Sequence, residues 1–306
     1  MGLRGASCRV VIGTEDGVWV LEGGPAGWSV RFDQLHGREV WAVAVSPHQA
    51  EVIFAGTGGH GLFRSVNGGG SWRPMSRGLE SPYVRGLAFD PHDPQRVYAV
   101  VEPAAWYTST DGGETWTCVA DAASFGGADT VVTLAVTADE APVCLVATPE
   151  GVWRSVDGGQ TWQHAPVPAG VHQLAVSGSP AGLLAATEEG LYRSVDAGST
   201  WSCCLEGTVT AVTTAQNGTW LAAAIVLSDA AAPAVVISQN AGATWAHLGT
   251  AAGPVARLAA GDDFLLSVDR TGGLWYTGGA ADLSPTPWKI VAGDVPPAFD
   301  LHVTAA

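Results

Sequence analysis

Apolar residues fall in short runs along this chain. Stretches such as VWAVAVSP, EVIFAGT and GLFRSV end in or run directly into Pro, Gly or Asn, and the same order of apolar run, turn and run returns down the sequence. Runs this short, bounded by turn formers, predict strands, because a helix needs a 3.6-residue apolar stripe sustained over about a dozen positions. The composition agrees. Hydrophobic residues make up 47% and charged residues only 14%, with 40 glycines and 18 prolines, which suits many buried strands joined by tight turns and leaves little room for solvated helices.

The tryptophans set the period. Trp28, Trp72, Trp116, Trp162, Trp201, Trp245 and Trp288 stand 39 to 46 residues apart, and the residues after Trp288 plus those before Trp28 make one more period. Each unit reads as four strands, the last opening at the Trp, which is the pattern of a β-propeller blade. The chain is expected to be all-β: a single domain over 1–306, a seven-bladed β-propeller of four-stranded antiparallel blades. Blade 1 is assigned to 8–32 plus 298–305, and blades 2 to 7 to 40–75, 84–119, 131–165, 171–205, 209–248 and 255–291. The first unit lacks a first strand, whereas AFDLHVTA is an extra strand at the far end. Pairing the C-terminal strand with the N-terminal blade closes the ring and leaves no open edge there.

One phrase recurs before the Trp. Ser155-x-Asp157-x-Gly159-x-Thr161-Trp162 has close copies at Ser109 to Trp116 and Ser194 to Trp201, while Ser65 to Trp72 and Ser238 to Trp245 carry Asn67 and Asn240 where the others have Asp111, Asp157 and Asp196. An Asp or Asn side chain there is able to accept backbone N–H bonds within its own turn, and the Gly takes a backbone angle other residues resist. The phrase resembles the Asp-box, or bacterial neuraminidase repeat, found in propellers of the photosystem II assembly factor, sortilin and xyloglucanase type. That resemblance implies a structural box on the turn between third and fourth strands, on the face away from the usual binding site.

Charge narrows the partners. With 29 acidic against 14 basic residues, a net −15, the chain is expected to repel phosphate backbones, so neither nucleic acid nor an anionic membrane surface is a predicted partner. No apolar span or signal-like run occurs, and the expected location is the cytoplasm. Five scattered cysteines, Cys8, Cys118, Cys144, Cys203 and Cys204, read as buried thiols of a reducing compartment; neither a metal site nor a cofactor is expected.

Propellers generally bind at the mouth of the central channel. The turns between second and third strands place Glu15, Asp16, Glu102, Glu150, Glu188, Glu189, Asp229 and Asp269 on one face, either as a ring of negative potential or as ordinary polar turn residues. The second residue of each innermost strand points at the channel: Trp41, Arg85, Val132, His172, Thr210 and Ala256, with Asp300 and His302 on the strand that completes blade 1. Trp41, Arg85 and His172 read as a binding pocket or as plugs of a wet channel. Chemistry is harder to assemble. Sialidases bearing the box grip a carboxylate with three arginines and use a Tyr/Glu pair, whereas here Arg38, Arg85 and Arg257 are the arginines near the mouth and Tyr83 has only Glu80 beside it. The resemblance to assembly factors implies a non-catalytic scaffold that binds a protein on one face, and the acidic turns lead to the expectation that such a partner docks there through basic segments. The alternative is a carbohydrate-active enzyme or glycan-binding module with its site at the channel mouth.

Overall fold

The computed structural model describes residues 8–24, 27–139, 141–177, 182–226, 233–250, 255–269, 271–282, 287–292 and 295–305. Asp229 lies outside them. The chain forms seven four-stranded antiparallel sheets, six of them running from an innermost to an outermost strand in sequence order and the seventh completed by the C-terminal strand. Helix among the described residues is one 3-10 turn, Ala122–Phe125, and no helix is long and apolar enough to cross a membrane.

Ring closure follows the expected route. Ala298–Ala305 is the innermost strand of blade 1 and pairs with Cys8–Thr14, Ala305 opposite Cys8 and Ala298 opposite Thr14. The other innermost strands are Val40–Val45, Val84–Phe89, Thr133–Val136, Val171–Ser177, Val209–Thr214 and Val255–Ala260.

Second strands such as Ile53–Thr57, Val97–Val101 and Leu221–Ile225 are buried at every position. Both of their faces pack against neighbouring blades, which is why the sequence shows continuous apolar runs there rather than alternation. Outer strands such as Arg73–Pro74 are exposed. The core is accordingly divided into seven clusters, one at each interface between successive blades.

Each cluster receives one of the seven periodic tryptophans, always against the blade that precedes it in the chain. Trp116 joins the cluster of Phe54 and Leu62, Trp162 that of Tyr98 and Trp106, and Trp28 that of Leu266 and Val268, across the junction of blades 7 and 1. The indoles meet aromatic rings of those blades, Trp116 edge-on to Phe54 and Trp162 edge-on to Trp106. Burial of such rings supplies much of what holds one blade to the next.

Candidate functional site

Two faces result from this topology. The turns between third and fourth strands carry the boxes, on one face. In the box of blade 4, Asp157 Oδ1 accepts from the backbone N–H of Gln160 and Thr161, at 3.0 and 2.9 Å, and Oδ2 accepts from the Thr161 hydroxyl at 2.6 Å. Ser155 Oγ donates to Asp157 and accepts from the N–H of Gly159. Asp111 and Asp196 repeat these side-chain bonds to the Thr, while Asn67 and Asn240 reverse one of them, their Nδ2 donating to Ser71 and Thr244 at 3.0 and 2.8 Å. The carboxylates are committed to holding their own turns.

A second device follows from the Arg-Ser dipeptides, a signal the motif reading passed over. Arg64 donates to the backbone oxygen of Gly112, and Arg154 to that of Ala197, in each case the residue after the Asp in the next blade's box. The arginine of one box strand thereby ties down the following box.

The opposite face is built where the turns between second and third strands meet the loops joining successive blades: Gly17 N–H donates to Arg38 O, Gly58 to Glu39 O, Glu102 to Tyr83 O and Glu188 to Gly170 O. Here the innermost strands share a distortion. In blades 2, 3, 5, 6 and 7 the pairing slips at the second residue, leaving Trp41, Arg85, His172, Thr210 and Ala256 as the extra residue of a β-bulge. Blade 1 slips likewise at Phe299, between the paired Ala298 and Asp300. A bulge re-aims the residue it frees from the ladder. Phe299, rather than Asp300 or His302, is therefore the blade 1 counterpart of Trp41.

Trp41, Arg85 and Glu102, from blades 2 and 3, come together. The Arg85 guanidinium carbon lies 3.7 Å from the Trp41 ring centroid, and its Nε donates to Glu102 Oε1 at 2.9 Å. The same carboxylate oxygen accepts from the Val131 N–H of blade 4. Two further residues complete the group: Tyr83 stacks on Trp41, centroids 6.0 Å apart and planes 25° apart, and Glu39 Oε2 accepts from Trp41 Nε1 at 3.0 Å. Gly58 is required below them, since a Cβ there would lie 2.4 Å from two indole carbons. In sequence Tyr83 signals only a weak nucleophile beside Glu80, and Glu39 carries no signal, because its role depends on a bulge that turns Trp41 back over it.

The remaining candidates do not converge on this group as an open acidic ring. Asp269 is buried, and its carboxylate accepts from the N–H of Thr271 and Gly273 and from Trp275 Nε1 at 2.8 to 3.0 Å. It stands where Thr57 and Thr187 stand in their blades, residues whose hydroxyls tie the same turn, so it is a turn-holding residue and not a free charge at the mouth. Glu102 is engaged by Arg85. Glu150 and Glu189 are exposed. His172 holds its Nε2 buried without a partner. His302 lines a cavity of about 430 Å3 toward the box end of the channel, with Gln173, Thr214 and Gln216; burial pushes its imidazole pKa down against the pull of Asp300. Among the described residues no group of three or more His, Cys, Asp or Glu side chains is placed to hold a metal ion.

A BNR/Asp-box repeat model matches residues 107–117, the blade 3 box and its flanks. The chain is a seven-bladed Asp-box β-propeller. Solved structures of low identity share the fold. The propeller is similar to YCF48 from Cyanidioschyzon merolae, with 13% identity over 95% of this chain and 90% of that one and a TM-score of 0.64. It is also similar to YCF48 bound to D1 peptide, with 15% identity over 82% and 81% and a TM-score of 0.60. An ancestral GH74 enzyme matches with 17% identity and a TM-score of 0.61 over 82% of this chain, which spans only 38% of that enzyme's length. No curated protein matches.

Proposed function

We propose that this propeller is a non-catalytic protein-binding scaffold that docks its partner on the face opposite the boxes. The observation that carries the reading is the Trp41, Tyr83 and Arg85 stack, with Tyr83 46% exposed on a support pinned by the bonds of Trp41 to Glu39 and of Arg85 to Glu102. Such a surface is fixed before a partner arrives and loses little freedom on binding, as suits an interface anchor rich in aromatic and arginine side chains. Glu102 and Asp269, which would otherwise be the candidate acids, hold structure instead. YCF48, a propeller of similar fold, has been solved bound to a peptide, and this supports the same use of the fold here by analogy.

A photocrosslinking residue placed at Tyr83 tests the reading, with one at the exposed box-face Val195 as control. A single partner crosslinked from position 83 and not from 195 is expected, with affinity falling at least about tenfold on Trp41→Ala, as for a buried anchor. Equal crosslinking from both faces, or affinity indifferent to Trp41, overturns it. A second reading, glycan binding, draws on the exposed aromatic stack and the likeness to a GH74 enzyme. Titration with neutral oligosaccharides separates the two: saturable binding lost in Tyr83→Ala would favour the glycan.

A further inference from the structure

Resting on that reading, we infer that the Tyr83, Trp41 and Glu39 group is a receptor for a cationic side chain, so that the partner docks by inserting an arginine or lysine from an exposed segment. Two observations converge. Tyr83 is the most exposed ring of the stack and is held in place by a β-bridge to Gly58 as well as by Trp41. A cation over such a ring is attracted by its negative face. Glu39 is exposed, and only its Oε2 is committed, to Trp41 Nε1. The bond to Trp41 Nε1 holds the Glu39 carboxylate at the indole edge of the stack, and its other oxygen makes no bond among the described residues, so one ligand group over the stack meets both a ring face and a carboxylate.

Arg85 is the obvious objection, because a second cation would be repelled by it. Its charge is answered locally by the bond from Nε to Glu102 Oε1. The same face also presents exposed Glu15, Glu150, Glu188 and Glu189, so the field over the mouth is negative and draws in a basic segment while disfavouring an acidic one. An anionic partner would have to approach Arg85 through that field.

The experiment titrates an acetylated, fluorescently labelled tri-arginine peptide against the whole chain at low salt, with tri-glutamate as counterpart. Wild type is expected to bind the arginine peptide, more weakly as salt rises, and not the glutamate one. Glu39→Gln and Tyr83→Leu are each expected to weaken binding at least about fivefold, whereas Tyr83→Phe, which keeps the ring, stays within about twofold. Asp139→Asn removes the same single charge from an exposed position on the box face and is expected to change nothing beyond about twofold. Circular dichroism melting confirms that each variant is folded. If Asp139→Asn weakens binding as much as Glu39→Gln, or Tyr83→Leu binds like wild type, or the glutamate peptide binds equally well, the inference is wrong. A partner that crosslinks from position 83 while the arginine peptide fails would leave the scaffold reading standing and remove only this one.

Discussion

Within a single box the backbone sets what each position tolerates. Ala197 and Ala241 sit at φ 57°, where Gly68, Gly112 and Gly158 stand in the other boxes. A Cβ is disfavoured in that left-handed conformation, so Ala197→Gly is expected to stabilise the protein by about 0.5–1 kcal/mol in urea unfolding, after the entropy of the added glycine is subtracted. Gly159 is the reverse case. At φ 92° its Cβ would fall 2.3 Å from Trp106 Nε1, and Gly159→Ala should cost at least about 2 kcal/mol. The carboxylates carry a pH signature. Burial tends to raise the pKa of Asp157, but the bonds from the Thr161 hydroxyl and N–H outweigh it and hold the group at about 2, below its ordinary 3.8. In Asp196 the Thr200 hydroxyl is the main cause of the same fall to about 2. Because the folded values are depressed, this stabilisation is fully present above pH 3.8 and is lost as pH falls through about 2. Replacing Asp111, Asp157 and Asp196 together by Asn should flatten the urea midpoint across that window. It should leave the midpoint near neutrality little changed, since Asn67 and Asn240 already close the same turn.

At the level of strands and turns, the periodic Trp divides into kinds that the sequence spells identically. Trp72, Trp162 and Trp201 donate Nε1 to the Gly carbonyl of their own box, whereas Trp116 and Trp245 reach back to Met75 and Cys204 of the preceding blade. Trp28 and Trp288, whose blades have no box, keep a buried Nε1 without a partner. Trp116, only 4% exposed, should cost about 3–5 kcal/mol when replaced by Ala. Trp288→Ala should cost clearly less, because it gives up packing but no hydrogen bond; equal losses in chemical denaturation would refute that ranking. The same contrast explains what was legible in the sequence. Blade number, strand order and box position follow from spacing alone, because Trp and the Asp phrase repeat in phase. The site follows only in part: Trp41, Arg85 and Glu102 are legible from their places in the repeat, but the rest is made where repeats differ, in the bulge that turns Trp41 over Glu39, the Tyr at the position before Val84, and an Asp at position 269 where sister blades place Thr. An acidic residue in a turn looks the same in sequence whether it faces solvent, as Glu150 does, or ties the turn, as Asp269 does.

For the molecule as a whole, the ring is closed by one strand, and its stability should depend on that strand out of proportion to its length. Ala298–Ala305 completes blade 1 and also contributes Leu301 to the cluster joining blades 7 and 1. Asp300 Oδ2 accepts from the Val43 N–H of blade 2 at 2.9 Å, and Arg257 of blade 7 lies 4.0 Å from its other oxygen, so a single side chain spans three blades at the channel wall. Deleting residues 298–306 would expose the ladder edge of Cys8–Thr14 and part of two interblade clusters at once. The expected outcome is loss of cooperative unfolding, or a large fall in melting temperature, where removal of an outer strand's length of surface chain would shift it little. A synthetic peptide of residues 296–306 supplied in trans should recover part of the lost stability by adding back the strand, with a melting temperature that climbs with peptide concentration as mass action requires. Asp300→Ala in that peptide should recover less, since it keeps the backbone ladder and loses the link to Val43. A deletion variant that melts like the full chain, or a peptide that restores nothing at any concentration, would show that the ring is held by its seven interblade clusters alone and that the closing strand only covers an edge.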